Sequence, residues 1–461
     1  MPTVVDAAIA TTEATTRKID EAPPFAGDFG ADLPLLRDLL AAEREAVAAL
    51  PPVAERGSAV RAAAGALSTS ALAVRQLFLR HHGETLYQEL TDGLRQAPRL
   101  NELAAAAAGR IPGLVPTASE LAAERRFPQV HKEGRERELG VLFWSFLRSP
   151  RAGRHLQHTM LQPTPRALAE LPAFRARGFA DLGVATVERR DGIGEVTLRN
   201  TAYLNAEDDE AVEALETAVD LALLDDGIGV GVLRGAPMTH PRYEGRRVFS
   251  AGINLTHLYH GRISLLDFLL RRELGYISKF FRGLAGPLQY DGDWEPAAEK
   301  PWVGAVDTFA IGGGTQITLV LDHVVAERDA YFSLPALQEG IIPGASNLRL
   351  PRLAGARLAR QAIFANRRIA AHSADGRLLC DETAAPGDMD AAVTAAASRL
   401  DNPAVSANRR MVHLGEEPPA TFRRYMAGYA LEQSRRLYSA DLIANLERTW
   451  IARGAGRERT R

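Results

Sequence analysis

The tightest constraint on this chain is a pair of glycine-bearing strand exits, FSAGINL at Phe249–Leu255 and AIGGGTQ at Ala310–Gln316. At each one the backbone must turn sharply after an apolar run. Glycine permits that because it has no Cβ, and the turn leaves an amide N–H aimed outward. Two such amides can converge on one oxygen and stabilise negative charge there. No plausible nucleophile stands beside them, so the pattern suits the enolate of an acyl thioester and points to carbon-acid chemistry.

The rest of the chain divides by periodicity. From Leu33 to Pro172 it is rich in Ala, Leu, Glu and Arg, with apolar residues at helical spacing, as in LPLLRDLLAAEREAVAAL. Prolines at Pro51, Pro52, Pro112 and Pro116 separate one helix from the next. Near Gly183 the pattern changes to VATVERRDGIGEVTLRN, two alternating runs about a glycine turn, which predicts a β-hairpin. Helical and buried-strand runs then alternate: AVEALETAVDLALL, IGVGVLRG, SLLDFLLRRELGYISKFFRGL, PWVGAVDTFAI, a helix opening at the triple glycine, and HVVAERD. Such alternation predicts βαβ units with parallel pairing. The expected division is a flexible N-terminus over 1–32, a helical domain over 33–180, an α/β core over 184–370, and a helical C-terminal region over 371–461 with an arginine-rich end frayed beyond Ala452.

Composition excludes several classes of function. The 461 residues carry 55 basic and 57 acidic side chains, a formal charge of −2, so no global field recruits nucleic acid or an anionic membrane. No window is expected to reach the ~20 apolar residues needed to span a bilayer, and the N-terminus lacks the apolar core of a signal peptide. The single cysteine, Cys380, excludes an internal disulfide, and a cytoplasmic location is expected. Lysine occurs only at positions 18, 132, 279 and 300, so contacts to phosphate fall mainly to arginine. The triple glycine lacks GxGxxG spacing and is not expected to bind a dinucleotide. His240, His257 and His260 with Asp267 are the nearest approach to a two-histidine, one-carboxylate iron site, but histidines that follow a glycine turn are usually unliganded. No metal site is expected.

Four anchors in order, RNTAYLNA at Arg199–Ala206, FSAGINL, AIGGGTQ, and FSLPALQEGIIPG at Phe332–Gly344, resemble the crotonase (enoyl-CoA hydratase/isomerase) superfamily over roughly 184–370. The helical extension and the insert LQYDGDWEPAAEKPW are most similar to the dioxygenase branch of that family found in glycopeptide antibiotic biosynthesis. The resemblance implies a ββα spiral core. It also implies an oxyanion hole from the amides of Ile253 and Gly313, with Gly314 as the alternative. Hydratases of the family place carboxylates where this chain has Gln316 and Ala336, and without them no water is activated for addition to a double bond.

What the resemblance implies instead is oxygenation of a dihydroxyphenylacetyl-CoA thioester by O2 without metal or organic cofactor. An isomerase, dehydratase or hydrolase of an aryl- or acyl-CoA is the alternative. Glu207, Arg272 and Gln316 are candidates to meet the ring hydroxyls, and Leu255, Leu337, Ile341 and Ile342 to line a dry pocket for O2. The resemblance places CoA near Arg199 to Asn205 and implies a homotrimer or hexamer.

Overall fold

Helices and strands form largely where periodicity places them, and the chain divides into two compact units. The computed structural model of the chain describes residues 4–288 and 295–448. Residues 289–294 of the expected insert, and the arginine-rich end beyond Ala452, lie outside them. One unit comprises Met1–Leu156, Tyr259–Gly261 and Met426–Ser439; the other comprises Gln157–Leu258, Arg262–Tyr425 and Ala440–Arg461.

The first unit is helical. Its long helices Phe29–Ala48, Ser58–Leu90 and Glu136–Arg148 bury Leu36, Leu40, Leu67, Phe78, Phe143 and Phe146 completely. The expectation of a flexible 1–32 is corrected: Val4–Asp20 is a helix, and Asp28 caps the next one by accepting from the Ala31 amide. Ala8, Thr12, Thr15 and Ile19 form its buried stripe, and Ile19 packs with Leu39, Leu67 and Ala71. A stripe of small and hydroxylated residues gives almost no hydropathy signal, which is why sequence periodicity missed it.

The second unit holds the expected α/β core. Its strands are β1 (Phe179–Asp181), β2 (Ala185–Arg190), β3 (Ile193–Leu198), β4 (Val230–Gly235), β5 (Leu284–Ala285), β6 (Pro296–Ala298), β7 (Trp302–Val306), β8 (Phe309–Ile311), β9 (His323–Glu327), β10 (Tyr331–Ser333), β11 (Ile369–Ala370) and β12 (Glu382–Ala384). Among the described residues seven of these form one sheet in the order β1-β2-β3-β4-β7-β9-β12. The predicted hairpin is β2–β3, with Val187 opposite Val196, and pairing is parallel from β3 through β12. Val230, Val232, Val303, Ala305 and Val325 pack against Met389, Val393, Ala396 and Ala397 of the helix Met389–Leu400. The core therefore extends past the expected limit at 370, since β12 completes the sheet and this helix covers it.

Two further departures shape the site. PWVGAVDTFAI is not one strand: after β7 the chain leaves the large sheet, and β8 pairs in parallel with β10 in a small one. Asp307 at the corner accepts two hydrogen bonds from Arg234, at 2.8 and 2.9 Å, and Thr308 takes a φ of 62° while its amide donates to Glu327. SLLDFLLRRELGYISKFFRGL is not one helix either. A π-helical turn at Leu265–Leu270 leads into Arg271–Leu274, and the chain breaks at Gly275 before Tyr276–Arg282. Wide turns of this kind cluster at functional sites because they re-aim side chains.

If the N-terminal helix is a packed part of its unit, Ile19→Ala will lower stability by about 2–4 kcal/mol in denaturant unfolding. The amides of residues 8–20 will also be protected in hydrogen exchange, since each has an acceptor one turn earlier in the helix. Exchange at the rate of an unstructured peptide would contradict this packing.

Candidate active site

The two glycine segments meet. Ser250 and Ala310 form a parallel bridge, in which the Ile311 amide donates to the Ser250 carbonyl at 2.9 Å, and the Gly312 amide donates to Ser333 of β10 at 2.7 Å. Gly252 has φ +83° and Gly312 has φ +51°, both in the region that favours glycine. A Cβ on Gly252 would lie 2.7 Å from the Ile311 carbonyl oxygen and 3.0 Å from the Gly313 amide nitrogen. No side chain fits there, so the two strand exits pack backbone to backbone.

That packing leaves two donors over. The Glu207 amide donates to Gly252 and the Asn254 amide donates to Glu207, so the intervening Ile253 amide is turned away from this bridge. Gly313 opens the helix Gly313–Thr318, where a first-turn amide has no intrahelical acceptor. Neither amide has a hydrogen-bond partner among the described residues. Gly314, the alternative donor, is the next helical residue, with its α-carbon against Ser250; the Gly313 nitrogen is the one beside Gly252. Ile253 also lines a cavity of about 470 Å3, together with Leu204, Ala206, His240, Asn254 and Leu255.

Beneath Gly313 lies a buried charged cluster centred on Arg272, which is 3% exposed. Its Nε donates to Glu207 Oε2 at 2.8 Å, and Nη2 donates to Glu207 Oε1 at 3.1 Å and to the Gly313 carbonyl at 2.7 Å. Nη1 donates to Glu273 at 2.9 Å and to Gln316 Oε1 at 2.7 Å. All five guanidinium donors are thus occupied. Burial alone would favour losing the charge, but Glu207, Tyr276 and Glu273 outweigh it and hold Arg272 above its usual value. Desolvation pushes the Tyr276 hydroxyl well up, so it stays a phenol, and it donates to Glu207. Burial also raises the Glu273 carboxyl, against the pull of Arg272 and Arg349.

The three polar candidates, Glu207, Arg272 and Gln316, therefore come together, and the fold ties them to one another. Arg272 fixes the Gln316 side chain by its oxygen, which leaves the Gln316 amide nitrogen without a partner among the described residues. Gly344, the last residue of the fourth anchor, closes the cluster: a Cβ there would lie 2.0 Å from Glu273 and 2.4 Å from Gln316.

Other candidates stand apart from this cluster. Asn205 is fully buried at φ 55° and its carboxamide donates to the Val248 carbonyl at 2.7 Å, so it holds the loop and has no surface to offer CoA. Arg199 is at the surface, donating to the Gly183 carbonyl and pairing with Asp181. Of the four apolar candidates, Leu255 lines the cavity, Ile341 and Ile342 are half-buried, and Leu337 is 63% exposed. Leu337 therefore does not line a closed pocket in this chain, because the one-turn helix Ala336–Glu339 turns it to solvent.

Sequence reasoning missed Glu273, Tyr276 and Glu339. Only a glycine inside a helical run, Gly275, hinted that the chain breaks there. Among the described residues no group of three or more His, Cys, Asp or Glu is placed to hold a metal ion, and His257 lies 3.0 Å from Asp208. Burial pushes the Cys380 thiol up to about 11, which makes it a poor nucleophile.

The model of the enoyl-CoA hydratase/isomerase family matches residues 294–417. The chain is 54% identical over 398 residues to a (3,5-dihydroxyphenyl)acetyl-CoA 1,2-dioxygenase of Amycolatopsis orientalis, covering 86% of this chain and 91% of that one. It is 28% identical over 217 residues to a probable enoyl-CoA hydratase of Rhizobium meliloti (strain 1021), covering 46% of this chain and 74% of that one. Among solved structures, an enoyl-CoA hydratase/isomerase from Pseudoalteromonas atlantica T6c aligns with a TM-score of 0.48 at 20% identity, over 59% of this chain and 98% of that one. With the Amycolatopsis relative 54% identical and matched along 91% of its length, the chain belongs to the enoyl-CoA hydratase/isomerase, or crotonase, superfamily.

Proposed function

We propose that the chain is a cofactor-independent dioxygenase that converts 3,5-dihydroxyphenylacetyl-CoA and O2 to 3,5-dihydroxyphenylglyoxylate and CoA. The observation that carries this reading is the extent of the likeness to the Amycolatopsis dioxygenase. A match of 398 residues necessarily reaches into the helical N-terminal half, whereas the Rhizobium hydratase matches 46% of the chain. The site supports it, because the two positions where a hydratase of this family carries carboxylates hold Gln316 and Ala336.

The chemistry follows from the donors. The α-carbon of an arylacetyl thioester is acidic because its carbanion spreads into the carbonyl and the ring. The Ile253 and Gly313 amides stabilise the resulting enolate oxygen, each by about 2.7–4 kcal/mol. The enolate passes an electron to O2, and the two radicals combine into a peroxide on the α-carbon. That peroxide attacks the thioester carbonyl and expels the CoA thiolate. The O–O bond then breaks as the second α-hydrogen leaves as a proton, giving the arylglyoxylate. Both O2 atoms end in the acid, and no external reductant is required. The Gln316 amide nitrogen is the donor poised for a ring hydroxyl. Arg272 and Glu207 hold Gln316 and the Gly313 peptide in place.

CoA is assigned to the first anchor, where Arg199 is at the surface. A homotrimer or hexamer, supported by the exposed apolar side chains Phe364, Met411, Val412 and Leu414, and a cytoplasmic location complete the reading.

Two tests follow. Protein stripped of metal by exhaustive chelation and incubated with 3,5-dihydroxyphenylacetyl-CoA under labelled oxygen will release an acid carrying two labelled atoms; release of unlabelled arylacetate would support a hydrolase instead. Gly252→Ala, which places a methyl group against the Gly313 amide, will lower kcat by roughly 10²–10³ while leaving the circular dichroism spectrum unchanged. A variant with unaltered kcat would remove the two amides from the chemistry.

A further inference from the structure

The cluster beneath Gly313 leaves one carboxylate of the site outside it. Glu339 ends the helix Ala336–Glu339, where Gly340 turns the chain at φ +79°. Its Oε2 lies 3.8 Å from the position a Cβ would take on Gly312, and that position is itself 3.6 Å from the Gly252 α-carbon. The carboxylate therefore stands beside the junction of the two glycine segments, one residue from the Gly313 amide. The oxygens of Glu207 and Glu273 are taken up by Arg272, Tyr276 and the Ala345 amide. The Glu339 carboxylate has no ion pair or hydrogen bond among the described residues. Desolvation with nothing to offset it pushes this carboxyl up to about 8, against an ordinary 4.5.

We propose that Glu339 is the base that removes the α-proton of the bound thioester, an inference that rests on the function proposed above. The Cα–H bond breaks and its electron pair moves toward the carbonyl, whose oxygen becomes the enolate held by Ile253 and Gly313. The proton goes to the Glu339 carboxylate, which becomes a neutral acid. When the peroxide expels the CoA thiolate, that acid returns the proton to sulfur. Glu339 is then again ionised and takes the second α-proton as the O–O bond breaks. A carboxylate without a cationic partner suits this work, since transfer from a weak carbon acid is faster to a stronger base. The position is also distinct from the two where the family's hydratases keep their carboxylates, now Gln316 and Ala336.

The test separates deprotonation from oxygen chemistry. Wild-type protein is held in D2O without O2 and with saturating 3,5-dihydroxyphenylacetyl-CoA, and deuterium entering the α-carbon is followed by mass spectrometry. Wild type exchanges the α-protons; failure to do so would overturn the carbanion reading as a whole. Glu339→Gln is expected to slow exchange and O2 uptake together by at least about 100-fold, with thioester affinity within about threefold of wild type, and Glu339→Asp to recover part of the loss. If wild type exchanges and Glu339→Gln exchanges within about threefold of it, the base lies elsewhere and only this assignment falls. Loss of thioester binding in Glu339→Gln would equally overturn it, because it would make Glu339 a binding residue.

Discussion

The space between Gly252 and the Gly312–Gly313 peptide is too narrow for a single methyl group, and the geometry of the site depends on that. Because no Cβ intervenes, the Ser250 segment and β8 pair directly, and the backbones reverse within a few ångströms of each other. The reversals leave the Ile253 and Gly313 amides without internal acceptors. Unpaired amides are costly to bury, and a fold that keeps two of them side by side, one of them on a residue that lines a cavity, has donors ready for an anionic ligand atom.

Arg272 fixes this arrangement from below. A guanidinium with all five donors engaged cannot shift without breaking several bonds at once, and one of those bonds holds the carbonyl of Gly313 itself. The peptide that offers the amide is thereby anchored through its own residue. Glu207 serves from the other side: its backbone brackets Ile253 while its carboxylate grips Arg272. A single ion pair thus links both halves of the proposed oxyanion hole. It also divides the carboxylates of the site into those that are tied, Glu207 and Glu273, and one that is free to accept a proton, Glu339.

Much of this was legible in the sequence. The glycine strand exits, the β2–β3 hairpin and the alternation that gives the parallel sheet all follow from local backbone chemistry and period. The convergence of Glu207, Arg272 and Gln316 was anticipated, although as free groups rather than as members of a bonded cluster. What escaped depends on tertiary context. The break at Gly275 that brings Tyr276 to Glu207 looks like an ordinary helical run. The N-terminal helix packs through alanine and threonine, whose hydropathy carries little signal. Asn205 reads as a polar loop residue, yet it is sealed inside holding the Val248 carbonyl. Leu337 reads as core but sits on one exposed turn, and Glu339 on that same turn reads as surface but is half-buried.

The most direct test of the central claim is the carbonyl stretch of an isotope-labelled, unreactive thioester analogue bound to the protein, read by difference infrared spectroscopy. Two amides aimed at that oxygen will move the band to lower frequency than in water, and Gly252→Ala will abolish most of the shift. A band at its solution frequency in the wild-type complex would mean that the two peptides do not grip the thioester, and the account would fail.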